Sequence, residues 1–293
     1  MSDRIDLSAL LASRTTTPLD VALDEIFAEI GVPRPGGPSG RGWSSRQVFQ
    51  SCPHKYRRRY LDGVRSAPSA ALEIGALFHQ LVALHYLTHA GEAWPDKIPL
   101  DMLREKLLAR GVSAEAVMEA YRLFESYAHR YEDDYLTPLA VEELCLDPRG
   151  SSCRFDLIAK VGANALFIPE GIWIVEHKTA GRLDATTLDG WRNDGEVLGQ
   201  MTLWRAMNLD ALYGPLQGVI VNIVSKARVV QFHRTLIPVP SDAKLAGHAR
   251  DLAVFSSFEE VCRATGVWPR SRAACVTRYG FCDLYDECAE GED

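Results

Sequence analysis

Ile172-Trp173-Ile174-Val175-Glu176-His177-Lys178-Thr179 runs four apolar residues straight into an acid, an imidazole and an amine. A short apolar run after the turn-forming Pro169-Glu170-Gly171 reads as a strand. Side chains alternate along a strand, so Glu176 and Lys178 share one face and His177 points to the other. Twenty residues upstream, Arg154-Phe155-Asp156-Leu157-Ile158-Ala159 sets another acid inside another apolar strand. Pairing the two strands brings Asp156 beside Glu176.

Two carboxylates held close repel each other, and a divalent cation relieves that repulsion. Mg²⁺ and Mn²⁺ favour such oxygen ligands. A cation there would polarise a phosphodiester and lower the pKa of a bound water. Lys178 would orient that water or stabilise charge developing on phosphorus oxygens. The plainer reading is a pair of strand-edge salt bridges, which Glu-x-Lys often forms. The apolar run before Glu176 and the placement of Asp156 favour the metal site.

These residues carry a resemblance. Asp156, a spacer and Glu176-His177-Lys178-Thr179 resemble the nuclease motif of the RecB-like branch of the PD-(D/E)XK superfamily. Gly75-Ala76-Leu77-Phe78-His79 resembles the upstream Gly-x-x-x-His helix of that branch, whose histidine is a metal ligand. Gln200-Met201-Thr202-Leu203-Trp204 resembles its downstream Gln-x-x-x-Tyr motif, with Trp in place of Tyr. The resemblance implies catalytic roles for Asp156, Glu176, Lys178 and Gln200. It implies a Mg²⁺ or Mn²⁺ site at His79, Asp156, Glu176 and the backbone carbonyl of His177. It also puts Trp204 near DNA, where stacking on a base would survive the change from Tyr. Taken alone, His79 on an apolar helix reads as a core histidine. Glu142 on the preceding strand is a further acidic candidate.

Working outward, the chain predicts a short amphipathic helix over 18–31, with Val21, Ile26 and Ile30 on or near one face. A Gly/Pro-rich linker follows from Gly31 to Gly42, so the first thirty-odd residues are expected to be loosely attached. Ser44 or Ser45 would cap a helix running through Val48, Phe49 and Tyr56. More helix is expected over 70–90 and over 100–135, the latter broken near Gly111. Strands are expected at 139–147 and 153–161 around Pro148-Arg149-Gly150-Ser151, with a second pair at 165–168 and 172–177. A helix near 194–209, strands at 218–225 and 227–236, a helix at 241–264 and an irregular tail complete the chain. The order suits an α/β class. With the resemblance, it implies a restriction-endonuclease-like mixed central sheet flanked by helices, with a helical N-terminal part and a cysteine-clamped tail. The domain reading is an extension and linker at 1–42 and a nuclease domain at 43–293, with a helical insertion at about 66–136.

The chain has 293 residues, enough for a sizeable core, and 47% of them are hydrophobic, as in soluble globular proteins. A net charge of −7 argues against bulk electrostatic attraction to nucleic acid, but not against a local basic groove. The start, Met1-Ser2-Asp3-Arg4-Ile5-Asp6, has no apolar leader, and no run is expected to span a bilayer, so a cytosolic location is the expectation. In that reducing setting, seven cysteines suggest ligation or buried thiols before disulfides.

Cys52 stands alone upstream, and Cys275, Cys282 and Cys288 crowd the tail. One early cysteine with three late ones resembles the iron–sulfur nucleases related to AddB and to the CRISPR adaptation nucleases. The resemblance implies a 4Fe–4S cluster on these four thiolates, tying the chain ends together. A Cys₄ zinc site is the first alternative and unligated thiols the second. Cys145, Cys153 and Cys262 read as buried small hydrophobes. Lys55, Arg57, Arg58, Arg59 and Arg65, with Tyr56 and Tyr60, form a basic and aromatic patch suited to phosphates and unpaired bases. The alternative is a solvated helix face.

The expected function is a metal-dependent DNA nuclease, exonuclease-like, acting on single strands or ends in recombination, repair or phage DNA processing. A non-catalytic DNA-binding module or partner subunit is the alternative. No phosphate-binding Gly-x-x-x-x-Gly-Lys-Ser/Thr loop is present, so any helicase would be a separate partner.

Overall fold

A computed structural model describes residues 17–32, 34–35, 42–64, 69–89, 100–132, 134–147, 151–163, 165, 167–181, 183–277 and 280–290. Helices α1 (Pro18–Ile30), α2 (Trp43–Ser51), α3 (Pro53–Tyr56), α4 (Ala70–His89), α5 (Leu100–Ala109) and α6 (Ala114–Arg130) come first. Strands β1 (Leu136–Leu146), β2 (Ser152–Val161) and β3 (Gly171–Ala180) follow. Then come α7 (Ala185–Gly190), α8 (Gly195–Ala206), α9 (Asp210–Tyr213), β4 (Leu216–Ser225), β5 (Phe232–Pro238) and α10 (Asp242–Thr265). A small hairpin, β6 (Val276–Thr277) and β7 (Gly280–Phe281), and α11 (Tyr285–Glu290) end the described chain.

The main sheet has the order β1-β2-β3-β4-β5. Only β3 and β4 pair in parallel. Their connection holds α7, α8 and α9, the long crossover that a parallel pair needs. β3 therefore sits mid-sheet with both faces covered, and its side chains from Ile172 to His177 are all buried. A strand buried on both faces reads as an unbroken apolar run, which is why this segment stood out in sequence. One face of the sheet packs on α1, α4, α5 and α6 through residues such as Phe27, Phe78, Leu107 and Phe124. The other face packs on α8 through Val197, Met201 and Trp204. The result is the mixed sheet flanked by helices expected of a restriction-endonuclease-like α/β fold.

Several expectations need correction. The pair at 165–168 and 172–177 does not form: Phe167 and Ile168 lie in a bend, and β3 pairs with β2 and β4. The loop before β3 is too short for its own ladder once β2 claims that edge. The first helix is not loosely attached. Leu19, Leu23, Ile26 and Phe27 are at most 3% exposed, and Val21, expected on its apolar face, is 43% exposed. At about 1.5–3 kcal/mol per large buried side chain, these four anchor α1 firmly. Thr17 and Asp20 form a capping box at its start. Arg34 folds back to bond Asp20, Asp24 and Gln80. Gly42, not Ser44 or Ser45, precedes α2, and Ser45 donates to the Gly42 carbonyl. The expected continuous helix through Tyr56 breaks at extended Cys52, before Pro53.

Gly111, at φ 76, separates α5 from α6 as expected. Residues 70–88 of α4 are long and apolar enough to cross a membrane by length and composition, although no such run was expected. Of the apolar window, 56% is buried against the protein, as befits a core helix. Arg65 of the basic patch, Pro148-Arg149-Gly150 of the expected turn and most of the 31–42 linker lie outside the described residues.

Candidate active site

Five elements converge on one cavity of about 1110 Å³. α4 contributes Gly75 and His79, β1 Glu142, β2 Asp156, β3 Glu176 and Lys178, and α8 Glu196 and Gln200. Alternation along β3 puts Glu176 and Lys178 on one face, and the Lys178 ammonium lies 2.6 Å from Glu176 Oε1. The same ammonium lies 2.8 Å from Glu196 Oε2. Asp156 Oδ2 accepts the His177 backbone N–H at 2.8 Å, and His79 Nδ1 stands 3.4 Å from that oxygen. Gly75 lets α4 come this close: a Cβ there would meet Thr179 Oγ1 at 3.2 Å. Gln200 donates from Nε2 to Glu176 Oε2, while its Oε1 is buried without a partner.

Glu142 enters through an irregular strand. The β1–β2 ladder pairs Val141 with Leu157 and Glu143 with Phe155, so Glu142 and Asp156 lie between those pairs. Glu142 adopts φ 54, a left-handed conformation that a non-glycine residue holds only when its surroundings enforce it. Arg154 donates to its carbonyl at 2.7 Å.

Burial and the Asp156 charge push the Glu142 carboxyl up to about 8. Burial, then Asp156, also push Glu176 well above the carboxylate range. Burial opposes the charge on Asp156 as well, but His79, the His177 side chain and Lys178 hold it well below its ordinary value. Three carboxyls thus crowd one cavity more tightly than three full negative charges allow without positive compensation. Burial pushes the His79 imidazole down to about 4, which keeps it neutral with a lone pair to offer at neutral pH. Lys178 is held charged, because Glu176 and Glu196 outweigh its burial.

This donor set suits a hard divalent cation: carboxylates, a neutral imidazole and an orphaned buried amide oxygen. As the side chains stand, no group of three or more His, Cys, Asp or Glu among the described residues is drawn together tightly enough to grip an ion. The positive charge between Glu176 and Glu196 is supplied by Lys178.

A profile of the PD-(D/E)XK nuclease superfamily matches residues 43–277. The chain belongs to this superfamily. Its fold is that of a hydrolytic nuclease. The nuclease is also similar to the crystal structure of a provisionally named exonuclease from Eubacterium rectale. That likeness has a TM-score of 0.49 and 13% identity, covering 86% of this chain and 88% of the other. A second likeness, to the crystal structure of SSO0001, has a TM-score of 0.27 and 11% identity, covering 73% and 86% of the two chains. Neither likeness bears on activity. No curated protein matches this chain.

The structure departs from the expected DNA contacts of the nuclease. Trp204 is fully buried, its Nε1–H bonded to Asp210 Oδ1 at 2.7 Å and its ring against Phe155 and Tyr213. It cannot stack on a base. Trp204→Phe is expected to lower stability by about 1–3 kcal/mol, from the lost bond to the part-buried Asp210 and the smaller ring left in a fully buried site. Urea denaturation measures that loss, and DNA affinity is expected to stay unchanged; a large loss of DNA binding with unaltered stability would reverse the assignment.

The basic patch is also occupied. Lys55 and Arg59 pair with Asp283 at 2.5 and 2.6 Å. Arg58 pairs with Glu287 at 2.6 Å and with Asp62, and Arg57 pairs with Asp62. Tyr56 is 6% exposed, stacked between Tyr60 and Trp268, with its hydroxyl on Glu259. Lys55, Arg58 and Arg59 thus tie the tail, and Tyr56 ties α10, to the segment that begins with α3. The His177 imidazole likewise points away from the cavity, with Nε2 3.1 Å from Tyr127 OH.

Glu196 went unrecognised in the sequence. Its signal was available: Glu196 and Gln200 are four apart and share a helix face. Cys52, Cys275, Cys282 and Cys288 line one small cavity between α3 and the tail. The Ser271 N–H is 3.5 Å from Cys52 Sγ, and Lys55 Nζ is 3.6 Å from Cys282 Sγ. Their sulfurs are not gathered into a ligating group. Cys145 and Cys262 are buried, and Cys153 is half-buried opposite Cys145.

Proposed function

We propose that this chain is a Mg²⁺- or Mn²⁺-dependent deoxyribonuclease of the RecB-like branch, acting on single strands or ends. The observation that carries the reading is the meeting of Glu142, Asp156, Glu176, His79 and Lys178 in one cavity. His79, Asp156 and Glu176 would hold the cation, with Glu142 as an added acid and the His177 carbonyl as a backbone ligand. When bound, the cation supplies Lewis-acid polarisation of the phosphodiester. Lys178 is placed to orient the attacking water and to offset charge growing on the phosphate. Gln200 steadies Glu176.

The pathway would be recombination, repair or phage DNA processing in the cytoplasm, with any helicase on a separate chain. We also propose that Cys52, Cys275, Cys282 and Cys288 hold a 4Fe–4S cluster. Their shared cavity and the N–H donors aimed at two of the sulfurs support this, since such donors accompany ligated thiolates. Zinc remains the alternative occupant.

The test is cleavage of end-labelled single- and double-stranded DNA by anaerobically purified protein, with and without Mn²⁺. Metal-dependent shortening of the label is expected. DNA binding without cleavage in any divalent metal would favour a non-catalytic module.

A further inference from the structure

Trp204 and Tyr56, the aromatics expected to meet DNA, are sealed in the fold. The active-site cavity holds a different one. Trp43, the first residue of α2, is half-buried and lines that cavity. Apart from His79, it is the only aromatic side chain there among the described residues. Leu72, Leu203 and Leu252 also line the cavity, so an apolar stretch accompanies the carboxylates. Phosphodiester hydrolysis by itself has no need of an indole.

Neighbouring helices hold this indole in place. Its benzo end is lodged against Gly195, at the start of α8, where any Cβ would collide with it. His248 of α10 lies beside it, with ring centroids 6.1 Å apart and planes tilted by 46°. Trp43 is thus seated on the helix whose Glu196 and Gln200 touch Lys178 and Glu176. Arg46, one turn along α2 and on the same side of it, also lines the cavity and donates to Ser151 Oγ at 2.7 Å. Lys226 lines it too. Its ammonium donates to the Ala71 carbonyl at 3.2 Å and pairs with no carboxylate among the described residues.

We propose that Trp43 is a base-stacking platform that gives the active-site cavity a preference for unpaired nucleic acid. A duplex hides base faces within its own stack, whereas every unpaired base has a face to lay on an indole. A ring fixed beforehand by packing loses little freedom when a base lands on it. The Lys226 ammonium is a cation for the phosphates of the same strand. The inference rests on the reading of this cavity as a deoxyribonuclease site for single strands or ends, and it names the side chain that sets that choice.

The experiment is fluorescence anisotropy of the full-length protein, without added divalent metal, on labelled oligothymidine, on a sugar–phosphate strand of equal length lacking bases, and on a blunt duplex. Thermal melting of each variant runs alongside. Wild-type protein is expected to bind oligothymidine more tightly than the other two. Trp43→Leu is expected to weaken oligothymidine binding about five- to a hundredfold, the usual worth of one stacked base, and to leave affinity for the abasic strand nearly unchanged. Trp43→Phe, which keeps an aromatic face, is expected to recover most of the loss. Equal losses on both strands overturn the proposal, because Trp43 would then act through packing or the phosphates. Unchanged oligothymidine affinity in Trp43→Leu overturns it as well. Should Trp43→Leu not fold, the wild-type protein decides: an abasic strand held as tightly as oligothymidine sinks the platform. Wild-type protein that prefers oligothymidine but never shortens it with Mn²⁺ would instead sink the nuclease reading and leave the platform standing.

Discussion

Lys178→Ala is expected to slow DNA cleavage by about 10²–10³-fold, the usual cost of removing one donor aimed at developing charge, while Mn²⁺ binding is kept or tightened. The split follows from the position of the ammonium. Lys178 lies within 2.8 Å of both Glu176 and Glu196. It therefore neutralises the same carboxylates that a cation would neutralise, and removing it removes a competitor for them. Without metal, the variant leaves Glu176 uncompensated in a nearly solvent-free position. Breaking a fully buried pair costs about 3–5 kcal/mol. The loss here falls below that range, because Glu196 keeps 26% of its side-chain exposure and water screens it. Mn²⁺ is expected to restore much of the lost thermal stability, since a ligand that binds only the folded state stabilises it by mass action. Asp156→Ala is the contrast, with cleavage and Mn²⁺ affinity expected to fall together. Single-turnover cleavage, calorimetry and melting curves with and without Mn²⁺ check these outcomes. Wild-type cleavage rates in Lys178→Ala, or wild-type Mn²⁺ affinity in Asp156→Ala, would remove the basis of the proposed chemistry.

The second large effect is expected at the tail. Among the described residues of 269–290, Leu284 is the buried large apolar side chain. Ion pairs to Asp283 and Glu287 add to the tail's attachment, but part-exposed pairs contribute only about 0–1 kcal/mol each. On the iron–sulfur reading, the four thiolates must then supply most of the attachment, because ligation couples directly to folding. Cys282→Ala is expected to abolish bound iron and to open the tail to limited proteolysis. Asp283→Asn, which removes only ion pairs, is expected to leave both nearly unchanged. Iron and sulfide analysis with protease mapping decides. One zinc per chain without iron, or a tail equally protected in Cys282→Ala, would overturn the cluster.

The two outcomes draw on different kinds of information in the chain. The β3 segment was legible because a strand covered on both faces must be apolar until its functional residues begin. Glu176 and Lys178 were legible because alternation alone puts them on one face. The helix carrying Gly75 and His79 was legible as a long apolar run and its histidine only through the family resemblance, and its glycine has a visible reason in Thr179. Glu142 could be seen as an acid on a strand. The left-handed backbone at Glu142, between the Val141–Leu157 and Glu143–Phe155 pairs, has no local signature.

What the amino-acid order determined by itself is the strand and helix periodicity and the identities of the acids, amine and histidine, because these depend on neighbours a few residues apart. Only the tertiary structure decided which charges remain available. Lys55, Arg58 and Arg59 are paired with Asp283 and Glu287, more than two hundred residues away. Trp204 is sealed by Asp210 and Phe155. The first helix, set off by a Gly/Pro-rich stretch, is buried by α4, α5 and α6. Burial and ion pairing are long-range sums over the folded chain, and no local pattern carries them.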